Sequence, residues 1–198
     1  MGIEVEEIKK EQNTSKLKIL FVGRIARVRR VELLLQAASQ LTIPFHLTIA
    51  GGEEKTSSVT RGGYLEELKL FANQLNLNSN VTFTGKKNPA DLKLLYKSSN
   101  IFVYPSLYEN FGQPLIEAAA HGLPLISTPV GIAKDIVIDG ETGYHVTGKA
   151  EEIKDRIESL TDSNLRLEMG HKIQVEIKNR FDWAKIIDQY KSLYQTLL

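Results

Sequence analysis

Leu17-Lys18-Ile19-Leu20-Phe21-Val22-Gly23 is the stretch that decides the fold. A short apolar run stopped by glycine is followed, across 31–41, by Val31, Leu34, Leu35, Ala38 and Leu41 at helical spacing. This pattern reads as a strand and then a helix. The same alternation continues outward from it. Strand-like runs recur at 45–50, 81–84, 101–104, 123–127 and 144–146, and helical spacing at 64–75, 90–97, 114–121 and, briefly, near Lys134. Three further helical stretches follow at 150–160, 165–179 and 183–197. Strands separated by helices of this length need crossover connections, which favour a parallel sheet covered on both faces. The expectation is a doubly wound α/β fold of about six strands.

The chain's 198 residues suit one domain with an appendage. Residues 1–16 carry apolar side chains only at Met1, Ile3, Val5 and Ile8, and are expected to form a polar linker or arm before a domain over 17–198. With 25 Lys plus Arg against 24 Asp plus Glu, the net charge of +1 gives no bulk reason to expect nucleic acid as a partner. Any basic site must be local. The absence of cysteine removes thiolate nucleophiles, disulfides and thiolate metal sites together. No apolar run approaches the ~20 residues of a membrane span, and residues 1–15 are too polar for a secretion signal, so the expected location is cytoplasmic.

In a doubly wound sheet, ligands bind beyond the carboxyl ends of the strands, where the strand order reverses. After the first strand come Gly23 and then Arg24, Arg27, Arg29 and Arg30, four arginines within seven residues. A single glycine is not a dinucleotide fingerprint, and no P-loop is present. Cations at a helix start oppose the helix dipole, so the cluster reads either as a phosphate site or as a solvated basic turn. After the second strand, the pair Gly51-Gly52 permits close backbone approach to a ligand or forms a flexible loop. After the fourth, residues 105–117 are richest in candidate groups: Glu109, then Asn110, Phe111 and Gly112, Pro114 suited to a first helical turn, and Glu117 one turn inside the helix. Carboxylates accept from vicinal hydroxyls of a sugar or ribose, and a helix start offers backbone donors. Glu117 could equally offset the helix dipole. His46 and His171 read as packing or surface residues, Gly122 as a left-handed helix cap, and Trp183 and Tyr190 as the residues docking the last helix on the sheet.

Several of these segments occur together in order: Tyr104-Pro105-Ser106, Glu109-Asn110-Phe111-Gly112, Glu117-Ala118, His121-Gly122-Leu123-Pro124 and Asp139-Gly140-Glu141-Thr142-Gly143. From about Lys16 onward the chain resembles the C-terminal, Rossmann-like domain of retaining GT-B glycosyltransferases of the glycogen-synthase and sucrose-synthase type, family four or group one. The resemblance implies that Glu117 binds the nucleotide ribose and that Glu109, with the main chain of Asn110, Phe111 and Gly112, holds the transferred sugar. It further implies that Gly23 and Arg24, together with Arg29 and with Leu115 at the helix start, meet the diphosphate of a uridine or guanosine donor. Three departures stand out: Arg29 replaces lysine, Arg30 replaces glycine, and Gly131-Ile132 with Asp135 replaces Gly-Gly and a later glutamate.

The chemistry implied is metal-independent hexosyl transfer with retention by front-face attack, in which Arg24, Arg29 and Glu109 are the catalytic candidates. The leaving diphosphate is stabilised electrostatically. No Asp-x-Asp motif, metal site or cofactor is expected, and no general base is assigned. Only one of the two GT-B domains is present, so the chain is expected to be inactive alone. It would require an acceptor-binding N-terminal domain or subunit, through which any peripheral membrane contact would also arise. A non-catalytic nucleotide-sugar module and, less strongly, a GT-B epimerase are the alternatives.

Overall fold

The computed structural model describes residues 2–5, 15–53 and 63–196. Six strands form one wholly parallel sheet in the order β3-β2-β1-β4-β5-β6. They are β1 (Leu17–Val22), β2 (Phe45–Ala50), β3 (Val81–Gly85), β4 (Ile101–Tyr104), β5 (Leu125–Ser127) and β6 (Gly143–His145). The helices are α1 (Val31–Ser39), α2 (Tyr64–Gln74), α3 (Pro89–Ser98), α4 (Gln113–Ala120), α5 (Ala133–Ile136), α6 (Ala150–Ser159), α7 (Ser163–Phe181) and α8 (Trp183–Gln195). The doubly wound expectation therefore holds, with element ends moved by a few residues.

The topology follows from the central strands. β1 and β4 are buried along nearly their whole length, so they carry apolar side chains on both faces and sit mid-sheet. From β1 the chain steps outward through β2 to β3, then α3 carries it back across the sheet to β4 and on to the other edge. Right-handed crossovers in opposite directions put their helices on opposite faces. α1 packs with α2 and α6, and α4 packs with α7. The turn after β1 and the turn after β4 thereby face one another across a crevice at the carboxyl edge.

A row of rings lies within this core. Tyr96 of α3 packs on Phe102, Phe102 on Tyr104 at 5.9 Å, and Tyr104 on Phe21 at 5.7 Å, the last two nearly parallel. Such contacts add to simple area burial. The row leads from α3 to the mouth of the crevice, so the tyrosine hydroxyls at Tyr96 and Tyr104 reach the carboxyl edge from below.

The first helix is held at both ends by the β6–α6 region. Arg30 at its N-cap adopts φ +52, a left-handed conformation that disfavours side chains, and its Nη2 donates to the Gly148 carbonyl at 2.8 Å. The glycine-to-arginine departure thus converts a permissive turn residue into a tie between α1 and the β6–α6 loop. At the far end, the Thr42 N–H and hydroxyl both donate to Glu158 Oε1 at 2.9 Å.

Two expectations change at the chain ends. Residues 2–5, assigned to the polar arm, lie against the α7–α8 junction, where the Ile3 N–H donates to the Phe181 carbonyl at 2.8 Å; 6–14 lie outside the described residues. Trp183 and Tyr190 do not dock α8 on the sheet. Both are about half exposed, and α8 buries none of its described residues. The aspartate that caps it, Asp182, also ends α7, so the chain turns outward there instead of continuing over the core.

Glu158 gives a pH-dependent prediction. The Lys154 ammonium, then the Thr42 backbone donor, lower its carboxyl from the ordinary value to about 2. A depressed carboxylate pKa stabilises the fold above the unfolded value, near 4.5, and this contribution is lost as pH falls toward 2. Urea unfolding of wild type and Glu158→Gln should differ at pH 6 and converge by pH 2. A difference independent of pH would contradict the tie.

Candidate functional site

The crevice lies where strand order reverses, between the carboxyl ends of β1 and β4. β1 delivers Gly23 and Arg24, and β4 delivers residues 105–112, leading into α4. The space extends along the sheet edge. One cavity of about 320 Å³ is lined by Gly23, Arg24, Gly51, Gly52, Lys86 and Leu92. Its neighbour, of about 440 Å³, shares Lys87 and Leu92 with it and is lined also by Tyr96, Gln113, Glu117 and His121. Arg24 and Glu117 therefore open onto adjoining spaces.

Gly51 serves the backbone there. A Cβ on it would stand 1.8 Å from the Gly23 carbonyl oxygen, so the first of the paired glycines lets the ends of β1 and β2 close together. After it, Glu53 caps α2 by accepting from the Tyr64 N–H at 2.9 Å and the Gly63 N–H at 3.2 Å, while residues 54–62 lie outside the described residues.

The arginine cluster divides into four separate roles. Arg24 is exposed at the crevice. Arg27 points away, pairing with Glu67 of α2 at 2.6 Å and lying over the Tyr64 ring. Arg30 is tied to Gly148. Arg29 is buried, with its side chain 9% exposed, and its Nη1 lies 2.8 Å from Glu109 Oε2. The same nitrogen donates to the Tyr108 carbonyl at 2.6 Å and to Ser106 Oγ at 3.0 Å, while Nε is buried without an acceptor. Position in the sequence suggested one phosphate-binding cluster; the 3-10 turn Arg27–Arg29 instead aims successive side chains in different directions.

Glu109 is the centre of a small polar assembly. Besides Arg29, its Oε2 accepts from the Tyr104 hydroxyl at 2.7 Å, and its Oε1 accepts from the Asn110 N–H at 3.2 Å. Burial, joined by the Glu109 carboxylate, raises the Tyr104 pKa despite the opposing influence of Arg29 and Arg24, so this hydroxyl remains a donor. The loop is fixed from its other side by Gly131. There φ is +49, a Cβ would meet the Phe111 carbonyl oxygen at 2.4 Å, and the next residue, Ile132, donates its N–H to that oxygen at 2.7 Å. Only the first position of the Gly131-Ile132 pair is restricted to glycine by this contact; the Ile132 side chain is buried in the core. Asp135 stays exposed, and its carbonyl accepts from Arg180.

Glu117 is held similarly from α4. Its Oε2 accepts from the Tyr96 hydroxyl at 2.9 Å and its Oε1 from Gln113 Nε2 at 2.8 Å. Burial first, and then the Glu117 charge, push the Tyr96 pKa upward. Gly112 takes the N-cap of α4 at φ +93 with no side-chain cap. Leu115 does lie at the helix start, but its side chain is wholly buried and its N–H donates to the Gly112 carbonyl, so it turns into the core. Asn110 accepts from the Tyr108 hydroxyl, and Phe111 is half-buried.

Of the residues singled out in the sequence, Gly23, Arg24 and Glu117 line the two cavities, while Arg29 and Glu109 form a largely buried pair, with Asn110, Phe111 and Gly112 following Glu109 on the same loop. Sequence reasoning missed Tyr96, Tyr104, Ser106 and Gln113 as supports. Of these only Gln113 carried a local signal, since it stands one helical turn before Glu117.

Comparison with known proteins gives the family and the fold. The family model described as glycosyl transferases group 1 matches residues 3–180. The capsular polysaccharide biosynthesis glycosyltransferase CapM of Staphylococcus aureus is 31% identical over all of this chain and 53% of its own length. Sucrose-phosphate synthase from Thermosynechococcus elongatus superposes with a TM-score of 0.81 at 31% identity, over 92% of this chain and 45% of that one. Anabaena Alr3699/HepE, solved with UDP and glucose, superposes with a TM-score of 0.81 at 21% identity, over 92% of this chain and 49% of its own, and shares the fold. The chain spans about half the length of the relatives it matches.

The Arg29–Glu109 pair predicts a stability effect. Removing one member of a largely buried ion pair leaves the other uncompensated, which typically costs about 3–5 kcal/mol. Urea unfolding of Arg29→Ala should show a loss near the lower end of that range. A loss under about 1 kcal/mol, the scale of an exposed pair, would contradict the buried pairing.

Proposed function

Since the chain belongs to the glycosyl transferases group 1 family, we propose that it is the donor-binding half of a retaining, metal-independent hexosyltransferase, with the crevice between β1 and β4 as its nucleoside diphosphate sugar site. The observation that carries this proposal is the pair of tyrosine-anchored carboxylates after β4, Glu109 and Glu117, with Glu117 and Arg24 lining adjoining cavities at the carboxyl edge. UDP in the structural neighbour HepE supports a uridine donor without identifying this chain's own.

In this proposal Glu117 accepts from the ribose hydroxyls and Glu109 from hydroxyls of the sugar, while Arg24 lies against the diphosphate. The main chain of Asn110, Phe111 and Gly112 supports the sugar, and Gly23 admits the diphosphate close to the strand end. As the bond from the anomeric carbon to the diphosphate oxygen lengthens, positive charge develops on the ring and negative charge on the leaving group. Arg24 and the N-terminal turn of α4 oppose the negative charge, and Glu109 lies on the side of the sugar. Arg29 acts here mainly by fixing Glu109, because its Nη1 is already engaged. Retention follows if the acceptor enters on the face from which the diphosphate departs.

An acceptor-binding half, in the same protein or in a separate subunit, completes the proposal, as does a cytoplasmic location. The exposed stripe Trp183, Ile187, Tyr190 and Tyr194 on α8 suits an interface with that half. No described helix is long and apolar enough to cross a membrane.

Isothermal titration with uridine, guanosine and adenosine diphosphates tests donor binding. One diphosphate should bind at unit stoichiometry, and Glu117→Ala should weaken it by about 10-fold or more, the scale of a lost hydrogen bond to a charged group. Failure of wild type to bind every diphosphate and every corresponding glucose ester would overturn the proposal.

A further inference from the structure

We propose that Tyr96 and Tyr104 are positioning residues that hold the two carboxylates independently, Tyr96 setting Glu117 for ribose and Tyr104 setting Glu109 for sugar. This rests on the donor-site assignment above. Both rings are buried, at 2% and 1% exposure, yet each hydroxyl emerges beside a carboxylate of the crevice. The two bonds have the same form: a ring fixed in the core donates to Oε2 of a glutamate on the following loop or helix, at 2.9 Å to Glu117 and 2.7 Å to Glu109.

The supports are linked mechanically but differ in what they hold. Tyr96 is packed against Phe102 and stacked on His121 at 5.2 Å, and His121 Nδ1 lies 2.7 Å from the Glu117 carbonyl. Both ends of Glu117, carboxylate and backbone, are thus braced by one stacked pair. Tyr104 stands between Phe21 and Phe102 in the ring row, with the Arg29 guanidinium 5.7 Å from its ring. Its partner Glu109 receives Arg29 at the same oxygen. An unsupported glutamate on a loop or exposed helix face has several rotamers, and ordering it on ligand binding would weaken affinity. A tyrosine donor on Oε2 removes that freedom in advance. The other oxygen, Oε1, accepts from the Gln113 amide in Glu117 and from the adjacent Asn110 N–H in Glu109, donors that a ligand hydroxyl can supplement or replace. Burial also keeps both tyrosines protonated, with raised pKa values, so each remains a donor toward its carboxylate throughout the neutral range.

Because the two bonds lie on different elements, their removal should be separable. The variants Tyr96→Phe and Tyr104→Phe delete one oxygen each and preserve the rings. Titration uses the tightest-binding of the uridine, guanosine and adenosine diphosphates, its 2′,3′-dideoxy form, and its glucose ester. In Tyr96→Phe the preference for the ribose over the dideoxy form should fall about 10-fold, with the ratio between diphosphate and glucose ester unchanged. In Tyr104→Phe the diphosphate should bind within about 2-fold of wild type, while the glucose ester weakens about 10-fold relative to it. A merely structural role would shift all three ligands together, and that uniform shift would overturn the proposal, as would unchanged ratios in both variants. Should either variant fold poorly by circular dichroism, Glu117→Gln and Glu109→Gln must reproduce the same two selective losses; uniform losses there would overturn it equally. Wild type that binds none of the ligands would overturn the donor-site assignment itself, an outcome distinct from binding with unchanged ratios.

Discussion

The contact on which the site depends is the largely buried pair between Arg29 and Glu109, completed by the Tyr104 hydroxyl. Taking an ion pair out of water is costly unless further donors satisfy its remaining lone pairs. Arg29 supplies the charge from the turn after β1, and Tyr104 supplies a donor from the end of β4. The pair therefore joins the two strand ends that form the crevice. Its geometry in turn requires the neighbouring loops to sit where they do: Ser106 and Tyr108 share the same guanidinium nitrogen, and Gly131 lets a second loop close against Phe111. Nothing in the structure explains why arginine rather than lysine stands at position 29: the carboxylate, the carbonyl and the hydroxyl all meet the single nitrogen Nη1, and Nε is buried without an acceptor.

The strand and helix order was legible from hydrophobic spacing alone, because each βα unit buries one helix stripe against a strand carrying apolar residues on both faces. β1 and β4 show it most plainly, and their central place in the sheet follows from that burial. Strand order also placed Gly23 and Arg24 just after β1, and Glu109 and Glu117 on the loop and helix after β4. Less was legible where direction mattered more than residue type. Four neighbouring arginines read either as a phosphate site or as a solvated basic turn, yet the 3-10 turn sends Arg27 to α2, Arg29 inward and Arg30 to Gly148. Tyr96 stands 21 residues from Glu117, so only the tertiary packing of α3 beside α4 brings them together. Trp183 and Tyr190 have helical spacing, but spacing does not say which surface a helix meets; the turn at Asp182 leads α8 away from the core.

The division of labour between rigid core and open edge is consistent across the molecule. The rings stacked beneath the crevice are buried and donate to the carboxylates above them. Arg24, Lys86 and Lys87 line the cavity at the sheet edge. α1, which begins just after Arg29, is itself tied at both ends through Gly148 and Glu158.

The most direct measurement is a crystal structure of the chain with a nucleoside diphosphate glucose that it binds. The ribose hydroxyls are expected within hydrogen-bond distance of Glu117, the glucose against Glu109, and the diphosphate beside Arg24, with the Tyr96 and Tyr104 bonds retained. A ligand seated in the groove between α1 and α2 near Arg27 and Tyr64, or a diphosphate reversed so that glucose meets Glu117, would contradict it.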